Sequence, residues 1–306
     1  VRGVLPAVQA AARTGCERVV VPRENADEAA LVPGIRVLAV RRLAELVAEY
    51  RGEAPPPPTD EDVAPVPAGG EAPAGPGLDL AEVAGQTEAR LALEVAAAGG
   101  HHLLLTGPPG AGKTMLAARL PGLLPDLPEA DALEVTAVHS VAGTLPGRGV
   151  LLHRPPFEDP HHTASVAAVV GGGSGLPRPG AASRAHRGVL FLDEAPEFDR
   201  RVLESLRQPL EQGELVLHRA RGTARFPARF QLVLAANPCP CGRAVGKGLG
   251  CTCTSVARRR YASRLSGPLL DRVDLRVAVR PVTRAHLGGD AAQEGTALVA
   301  ARVAAA

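Results

Sequence analysis

Tryptophan is absent from the sequence, and lysine, methionine and the other aromatic residues are nearly so. The 306 residues include two tyrosines, five phenylalanines and one methionine, and only two of the 34 basic residues are lysines, Lys113 and Lys247. The core must therefore be built from alanine, valine and leucine. Each lysine is correspondingly informative, because arginine is the usual cation of this chain.

Long apolar runs are also missing. No stretch of 18 or more apolar residues occurs, and the first residues lack the basic, apolar and small-residue pattern of a secretory signal. We therefore expect a cytoplasmic protein that does not cross a membrane. Five cysteines, four of them between Cys239 and Cys253, do not predict a disulfide framework. Apolar residues, at 45%, exclude a mainly disordered chain.

The order of local patterns predicts two α/β regions joined by a linker. Residues 1–50 alternate helix and strand signals, whereas 51–77 contain eight prolines and five glycines and cannot pack a core. From residue 78 to 284, apolar runs that predict strands, among them 189–192 and 231–235, alternate with helical segments such as 200–212, as expected of a doubly wound parallel sheet covered on both faces. Because the alanine-rich end at 300–306 has helical character, we expect the chain to be part of a longer protein.

A phosphate-binding loop is the most specific motif. It matches G-x-x-x-x-G-K-[ST] in full, lies between an apolar strand and a helical run, and consists of Gly107, Pro108, Pro109, Gly110, Ala111, Gly112, Lys113 and Thr114. The backbone N–H groups of such a loop bind phosphates, Lys113 reaches the β- and γ-phosphates, and Thr114 ligates Mg²⁺. The sequence therefore predicts a site for ATP and Mg²⁺.

A pair of acids at the end of a buried strand complements this loop. Asp193 and Glu194 follow the apolar run 189–192. Taken alone such a pair would cap a turn, but after a phosphate loop Asp193 would hold Mg²⁺ and Glu194 would act as general base on the attacking water. Asn237 ends another buried strand, where its amide can position that water; an Asx turn before Pro238 is the alternative. The predicted reaction is ATP hydrolysis.

Taken together, these motifs resemble an AAA+ ATPase. Three further segments, Gly99–His102, Pro156–Thr163 and Ser266–Asp274, resemble the magnesium-chelatase-like branch and its ComM/YifB family. The resemblance implies that 1–50 end a Lon-protease-like domain of the ribosomal S5 type, with 51–77 as linker. It further implies an AAA+ ATPase domain over 78–284 and the start of a C-terminal lid at 285–306.

The same resemblance assigns roles to two residues. Asn237 matches sensor 1, and Arg272 matches the arginine finger that a neighbouring subunit inserts at the γ-phosphate, which implies a ring of six subunits. A surface ion pair with Asp271 or Asp274 is the alternative for Arg272. The implied work is DNA translocation and branch migration in natural transformation. A chelatase-type motor that remodels a protein partner for Mg²⁺ insertion into porphyrin, and a nucleotide-gated assembly module, remain alternatives.

A basic tract without acids points to nucleic acid. Between residues 215 and 270 there are nine arginines and Lys247 but no Asp or Glu. Part of it is typical of a β-hairpin that turns at Arg221 and Gly222. By resemblance this hairpin projects into a central pore, where Arg219, Arg221 and Arg225 would contact DNA phosphates. Ion pairing between subunits is the alternative.

Two other groups of side chains could bind metal. Cys239, Cys241, Cys251 and Cys253 form two C-x-C pairs, which suit a structural zinc site beside Asn237; free thiols and a redox role are the alternatives. His161 and His162 are adjacent within 139–187, a segment that resembles the family's pore-facing insert. Adjacent side chains diverge in helices and strands, so we expect a structural or DNA-proximal role for the histidines.

Overall fold

The computed structural model describes residues 1–54, 56–57, 77–147, 149–173, 177–219, 222–244, 250–282 and 293–306. These residues form two compact units: the first comprises Val1–Gly75 and Pro128–Leu152, and the second Pro76–Leu127 and His153–Ala306. Most of the predicted linker, together with Arg221 and Lys247, lies outside the described residues.

The helices and strands are numbered in chain order. The helices are α1 Val4–Arg13, α2 Ala26–Ala29, α3 Leu43–Arg51, α4 Thr87–Gly99, α5 Lys113–Ala117, α6 Glu129–Ala142, α7 Val166–Val170, α8 Ala181–Arg184, α9 Arg200–Ser205, α10 Arg207–Gln212, α11 Ser255–Ala262, α12 Gly267–Leu270 and α13 Thr296–Ala305. The strands are β1 Arg18–Pro22, β2 Arg36–Val40, β3 Leu103–Thr106, β4 Phe157–Glu158, β5 Gly171–Gly172, β6 Arg178–Pro179, β7 Val189–Leu192, β8 Glu214–Arg219, β9 Gly222–Pro227, β10 Gln231–Ala236 and β11 Leu275–Ala278.

The first unit pairs β1 with β2 in parallel and packs helices against them. Its polar centre is Glu28, which is buried. One carboxylate oxygen accepts hydrogen bonds from the backbone N–H of Leu5 at 3.0 Å and from the Ser140 hydroxyl, and the other accepts from Asn25 Nδ2 at 2.9 Å. Because Ser140 belongs to α6, this network joins α6 to the first unit, whereas the sequence analysis places residues 129–142 in the 78–284 domain.

The second unit is built on a five-stranded parallel sheet in the order β11-β3-β10-β7-β4. Successive residues of its central strands alternate between two cores. Leu104, Leu190 and Leu234 face one core, while Leu105, Phe191 and Ala235 face the other. Apolar residues on both faces explain why these strands are continuous apolar runs in the sequence. The α/β fold with a sheet covered by helices is therefore confirmed.

The segment 200–227 contains two short helices and a β-hairpin. The hairpin is present, with β8 and β9 antiparallel and Leu215 opposite Phe226. The single helix expected over 200–212 is instead two helices that meet at Leu206. Pro209 lacks an N–H group and its ring would clash with the carbonyl four residues earlier, so an uninterrupted helix is disfavoured there.

The last described helix, α13, is part of the second unit. We expected 285–306 to begin a lid; its described part, α13, packs in the second unit, where Val299 and Val303 join the core beneath β3. Arg302 of α13 also forms a two-pronged ion pair with Glu94 of α4, at 2.6 and 2.8 Å. Among the described residues, no helix combines the length and the apolar character needed to cross a membrane.

Candidate nucleotide-binding site

Three adjacent strands end at the same edge of the sheet. In β3, β10 and β7 the strands run parallel, with Leu105 paired to Ala235 and Leu234 paired to Leu192. The segments that follow them carry the phosphate loop, Asn237 and Asp193. Carboxyl ends of parallel strands are where open α/β sheets bind ligands. Residues that are 130 positions apart in sequence therefore meet at one site.

The phosphate loop depends on glycine at two points. A Cβ at Gly107 would lie 2.2 Å from the carbonyl oxygen of Val279, so no side chain fits between the loop and the segment after β11. Gly112 has a φ of 93°, a left-handed conformation that favours glycine, and α5 begins directly after it. The loop thereby turns tightly and presents the N-terminus of α5 to a bound anion.

Lys113 connects the loop to Asn237. Its Nζ donates hydrogen bonds to the carbonyl oxygens of Gly107 at 2.8 Å and Pro108 at 3.0 Å, and to Asn237 Oδ1 at 3.1 Å. Burial lowers the pKa of Lys113, while the charges of Asp193 and Glu194 act in the opposite direction. The ammonium is thus held by neutral oxygens that phosphate oxygens can replace at a gain in charge complementarity.

The residues predicted to hold magnesium also meet. Thr114 Oγ1 donates to Asp193 Oδ2 at 2.6 Å, and the other carboxylate oxygen of Asp193 accepts from the backbone N–H of Glu194 at 2.8 Å. Both are hard oxygen donors, and they line a cavity of about 240 Å³. A hydroxyl and a carboxylate beside a phosphate loop fit Mg²⁺, which keeps several waters and takes one or two protein oxygens.

Glu194 lines the same cavity in an unusual backbone conformation. Its φ of 50° is left-handed, which is uncommon for a non-glycine residue and often marks a functional site. One carboxylate oxygen, Oε2, lies 3.4 Å from Nδ1 of His162. The rings of His161 and His162 lie side by side, with centroids 4.1 Å apart, instead of diverging. Sequence reasoning missed the contact of His162 with Glu194 because nothing in the spacing of residues 162 and 194 indicates it.

Arg272 lies outside this cavity. Its Nη1 donates to the carbonyl oxygen of Pro268 at 2.6 Å, and its Nη2 pairs with Glu211 rather than with either neighbouring aspartate. The side chain retains about 29% exposure. Arg272 is therefore a partly exposed cation that does not contact the residues of the cavity within its own chain.

The basic tract is divided between paired and exposed arginines. Arg225 of the hairpin forms an ion pair with Glu214 at 2.7 Å, which reduces its availability to phosphates. The backbone of Arg219 ends β8, and Arg221 lies outside the described residues. Three consecutive arginines, 258–260, are exposed on the short helix α11. They belong to the acid-free tract, although they are not among the arginines predicted from the sequence to contact DNA.

The four clustered cysteines come together in space. Their Sγ atoms all lie within 4.8 Å of one another, and none forms a disulfide. A hydrogen bond from the backbone N–H of Arg243, aided by the Cys239 thiol, lowers the pKa of Cys241 to about 6. For Cys253 the backbone N–H of Cys241 also lowers the pKa, but the Cys241 thiol and burial outweigh it and raise the pKa to about 11. The cluster thus already favours thiolate at one position.

Comparison with known proteins places this site in a family. The sequence profile described as magnesium chelatase, subunit ChlI, matches residues 79–287. A Mycobacterium tuberculosis protein is 57% identical over 306 residues, which cover 99% of this chain and 58% of that protein. Competence protein ComM of Haemophilus influenzae is 44% identical over 281 residues, or 91% of this chain and 53% of ComM.

The protein YifB of Escherichia coli is 43% identical over 282 residues, which again cover 91% of this chain and 53% of the relative. The chain therefore spans little more than half the length of these relatives. The profile match includes the whole sheet and the phosphate loop. By its sequence and its fold, the chain belongs to the magnesium-chelatase-like family of AAA+ ATPases, in which it is similar to ComM and YifB.

Proposed function

We propose that this chain is the motor region of a ComM-type protein that hydrolyses ATP to move DNA, as in branch migration during natural transformation. One observation carries the hydrolytic part: at the carboxyl edge of the sheet Lys113 donates to Asn237 and the next residue, Thr114, donates to Asp193, while Glu194 lines the adjoining cavity. The proposed cofactors are ATP and Mg²⁺, and zinc is considered in the next subsection.

The position of each residue suits a step of hydrolysis. The Lys113 ammonium exchanges the carbonyl oxygens of the loop for oxygens of the β- and γ-phosphates. Mg²⁺ bound by Thr114 and Asp193 would neutralise the negative charge that phosphoryl transfer concentrates there. Glu194 accepts the proton of the attacking water, which Asn237 orients with its amide. Hydrolysis through Glu194 distinguishes this motor from a protein that only binds nucleotide.

Arg272 supports a site shared between subunits. It lies outside the cavity of its own chain and is partly exposed, so it can turn toward a neighbouring copy by giving up its ion pair with Glu211. We therefore propose that Arg272 acts in trans as an arginine finger in a ring, by resemblance a hexamer. A cation added at the γ-phosphate in this way is worth about 10³–10⁵ in rate in well-studied phosphoryl transfer.

The DNA part of the proposal rests on charge. The arginines 258–260 put three exposed cations on the short helix α11, and the acid-free tract around them adds to the positive electrostatic potential. Few aromatic side chains are available for base stacking, so we expect contacts to phosphates and binding that is insensitive to sequence and sensitive to salt.

A single substitution tests hydrolysis. In Glu194→Gln the carboxylate that accepts the proton becomes an amide of the same size, so we expect nucleotide binding to persist while turnover falls by about 10²–10⁴-fold. Fluorescent-ATP binding and phosphate release measure the two properties separately. Turnover retained within a few fold of wild type would exclude Glu194 as the base.

A second experiment tests DNA as the substrate of the motor. ATPase activity and single-strand binding are measured at several salt concentrations for wild type and for a triple alanine variant of residues 258–260. We expect DNA to stimulate the ATPase activity of the wild type. In the triple variant, the slope of the logarithm of the DNA-binding constant against the logarithm of salt concentration should be smaller in magnitude by about 2. The matched control replaces Arg200 and Arg201, which are exposed on α9. ATPase activity indifferent to single-stranded and forked DNA would favour the chelatase-type alternative.

A further inference from the structure

The loop that joins β10 to α11 gathers four sulfur atoms at the spacing of a metal tetrahedron. Cys239 Sγ lies 3.3 Å from Cys241 Sγ and 3.7 Å from Cys251 Sγ, and Cys241 Sγ lies 3.7 Å from Cys251 Sγ. Cys253 completes the group. Four sulfurs bound tetrahedrally to zinc at about 2.3 Å are about 3.8 Å apart. The cluster is therefore already close to the geometry that zinc requires.

Most of the described side chains of this loop are not buried. Cys239 is fully buried, but Pro240, Arg243 and Thr252 are exposed, and the other three cysteines are half-buried. The apolar surface that these described residues bury therefore contributes little of the free energy needed to order the loop. Bonds from four thiolates to one ion supply that free energy in small cysteine sites, where metal binding and folding are coupled.

The cluster touches the phosphate loop. A turn brings the backbone N–H of Gly242 to the carbonyl oxygen of Cys239 at 2.9 Å, and Gly242 has a φ of 71°. A Cβ at Gly242 would lie 2.4 Å from Cδ of Pro109. The turn 239–242 is thus in direct van der Waals contact at Gly242 with the segment that would surround the phosphates, with no room for a side chain.

The cluster is also joined to Asn237 from both ends. Asn237 precedes Cys239 by two residues and accepts from Lys113 Nζ. At the other end Thr254, next to Cys253, caps α11 by accepting from the backbone N–H of Ala257 at 3.2 Å. Tyr261, one turn further along α11, is buried and accepts a hydrogen bond from the backbone N–H of Asn237. The cysteines therefore lie between two attachments to the backbone of one residue of the nucleotide site, Asn237.

We propose that Cys239, Cys241, Cys251 and Cys253 bind one structural zinc ion, and that this ion positions Pro109 and Asn237 so that nucleotide affinity depends on zinc occupancy. The zinc site stands on the sulfur geometry alone, whereas the coupling rests on the nucleotide site of the proposed function. Zinc here has no open coordination position, because four thiolates complete its tetrahedron, so it does not take part in hydrolysis.

The first measurement is the zinc content of the purified protein. We expect one zinc per chain by elemental analysis, four thiols protected from a thiol reagent until a mercurial releases the metal, and visible absorption typical of tetrahedral cobalt thiolate after Co²⁺ exchange. A Cys251→Ser, Cys253→Ser double variant is expected to lose the zinc. Cys16→Ser is the matched control, because Cys16 is exposed and remote in sequence from the cluster. Less than about 0.2 zinc per chain in wild type overturns the site.

The second measurement tests the coupling. Binding of fluorescent ATP is compared for zinc-loaded protein, protein stripped with a chelator, and stripped protein reloaded with Zn²⁺, with circular dichroism confirming that each is folded. We expect affinity to fall at least tenfold on stripping and to return on reloading. Unchanged affinity overturns the coupling. Zinc-loaded wild type that binds no nucleotide would instead refute the proposed function while leaving the metal site in place.

Discussion

Replacing Gly107 with alanine tests whether the close contact between the phosphate loop and the segment after β11 is needed for nucleotide binding. The added Cβ would lie 2.2 Å from the carbonyl oxygen of Val279 and 3.2 Å from its carbonyl carbon. Both neighbouring groups are backbone, and β11 pairs with β3 immediately beside them. No side chain can rotate away, so the loop or the sheet edge must move.

The size of that movement sets the size of the effect. Restoring an ordinary contact distance requires a displacement of about 1 Å, and a misplacement of that size costs about 10²-fold when it disturbs a positioned reacting group. Lys113 Nζ donates to the carbonyl oxygen of Gly107 itself, so the displacement reaches the phosphate-binding ammonium directly. Overpacking of this kind costs about 1–3 kcal/mol of stability.

The assay separates binding from folding. We expect Gly107→Ala to weaken fluorescent-ATP binding about 100-fold and to retain the far-ultraviolet circular dichroism of wild type, with a lower unfolding midpoint. Gly77→Ala is the control, because no atom lies within 4 Å of its added Cβ and its φ is not left-handed. Binding of Gly107→Ala within twofold of wild type would refute the reasoning.

Three further outcomes follow from individual contacts. Glu28→Ala leaves the Asn25 and Ser140 donors without their buried acceptor, so denaturant unfolding should show a loss of about 3 kcal/mol, and no change would contradict the network. His162→Ala removes the partly exposed pair with Glu194, worth about 1 kcal/mol, so phosphate release should slow about fivefold with nucleotide affinity unchanged. Burial, followed by the charge of an acidic neighbour, raises the pKa of Tyr261 from 10.0 to about 12, so the folded state keeps a proton that the unfolded state loses. The unfolding free energy should therefore fall from pH 10 to pH 12, and less so in Tyr261→Phe; identical profiles would refute this.

Local patterns predicted the elements that carry the nucleotide site. The strand expected at 189–192 has those bounds, and the strand expected at 231–235 extends by one residue. Apart from Gln231, the residues of these strands are apolar because helices cover both faces of the sheet, and that pattern is visible without a structure. The phosphate loop was equally recognisable, since Gly110 and Gly112 adopt left-handed backbone conformations, with φ of 75° and 93°, which favour glycine locally.

Other elements depended on information that is not local. Helix α6 was not predicted to join the first unit, because its attachment runs through the Ser140 hydroxyl to Glu28, more than 100 residues earlier. The break at Leu206 has a local cause by contrast: Pro209 has no N–H group to continue the hydrogen bonds of a single helix over 200–212.

The roles of Asp193, Glu194 and Asn237 in the site remain proposals, although the geometry is compatible with each. Their residue types and their places after buried strands suggested the chemistry. Only the order of the strands brings them together, since β10 lies between β3 and β7 in the sheet. The pairing of Arg225 with Glu214 and of Arg272 with Glu211 was likewise invisible in the sequence.

The sequence by itself determined which residues can do chemistry: the phosphate loop, the acid pair, the two C-x-C pairs, and a charge near neutrality that conceals an acid-free tract. Tertiary structure alone decided their partners. His162 lies beside Glu194, and the four thiols form one cluster that contacts Pro109 through Gly242. The arginines of α11 are exposed, whereas Arg225 and Arg272 form ion pairs. Residue type and short-range spacing are local properties of a chain, whereas contacts between distant segments depend on how the sheet orders its strands.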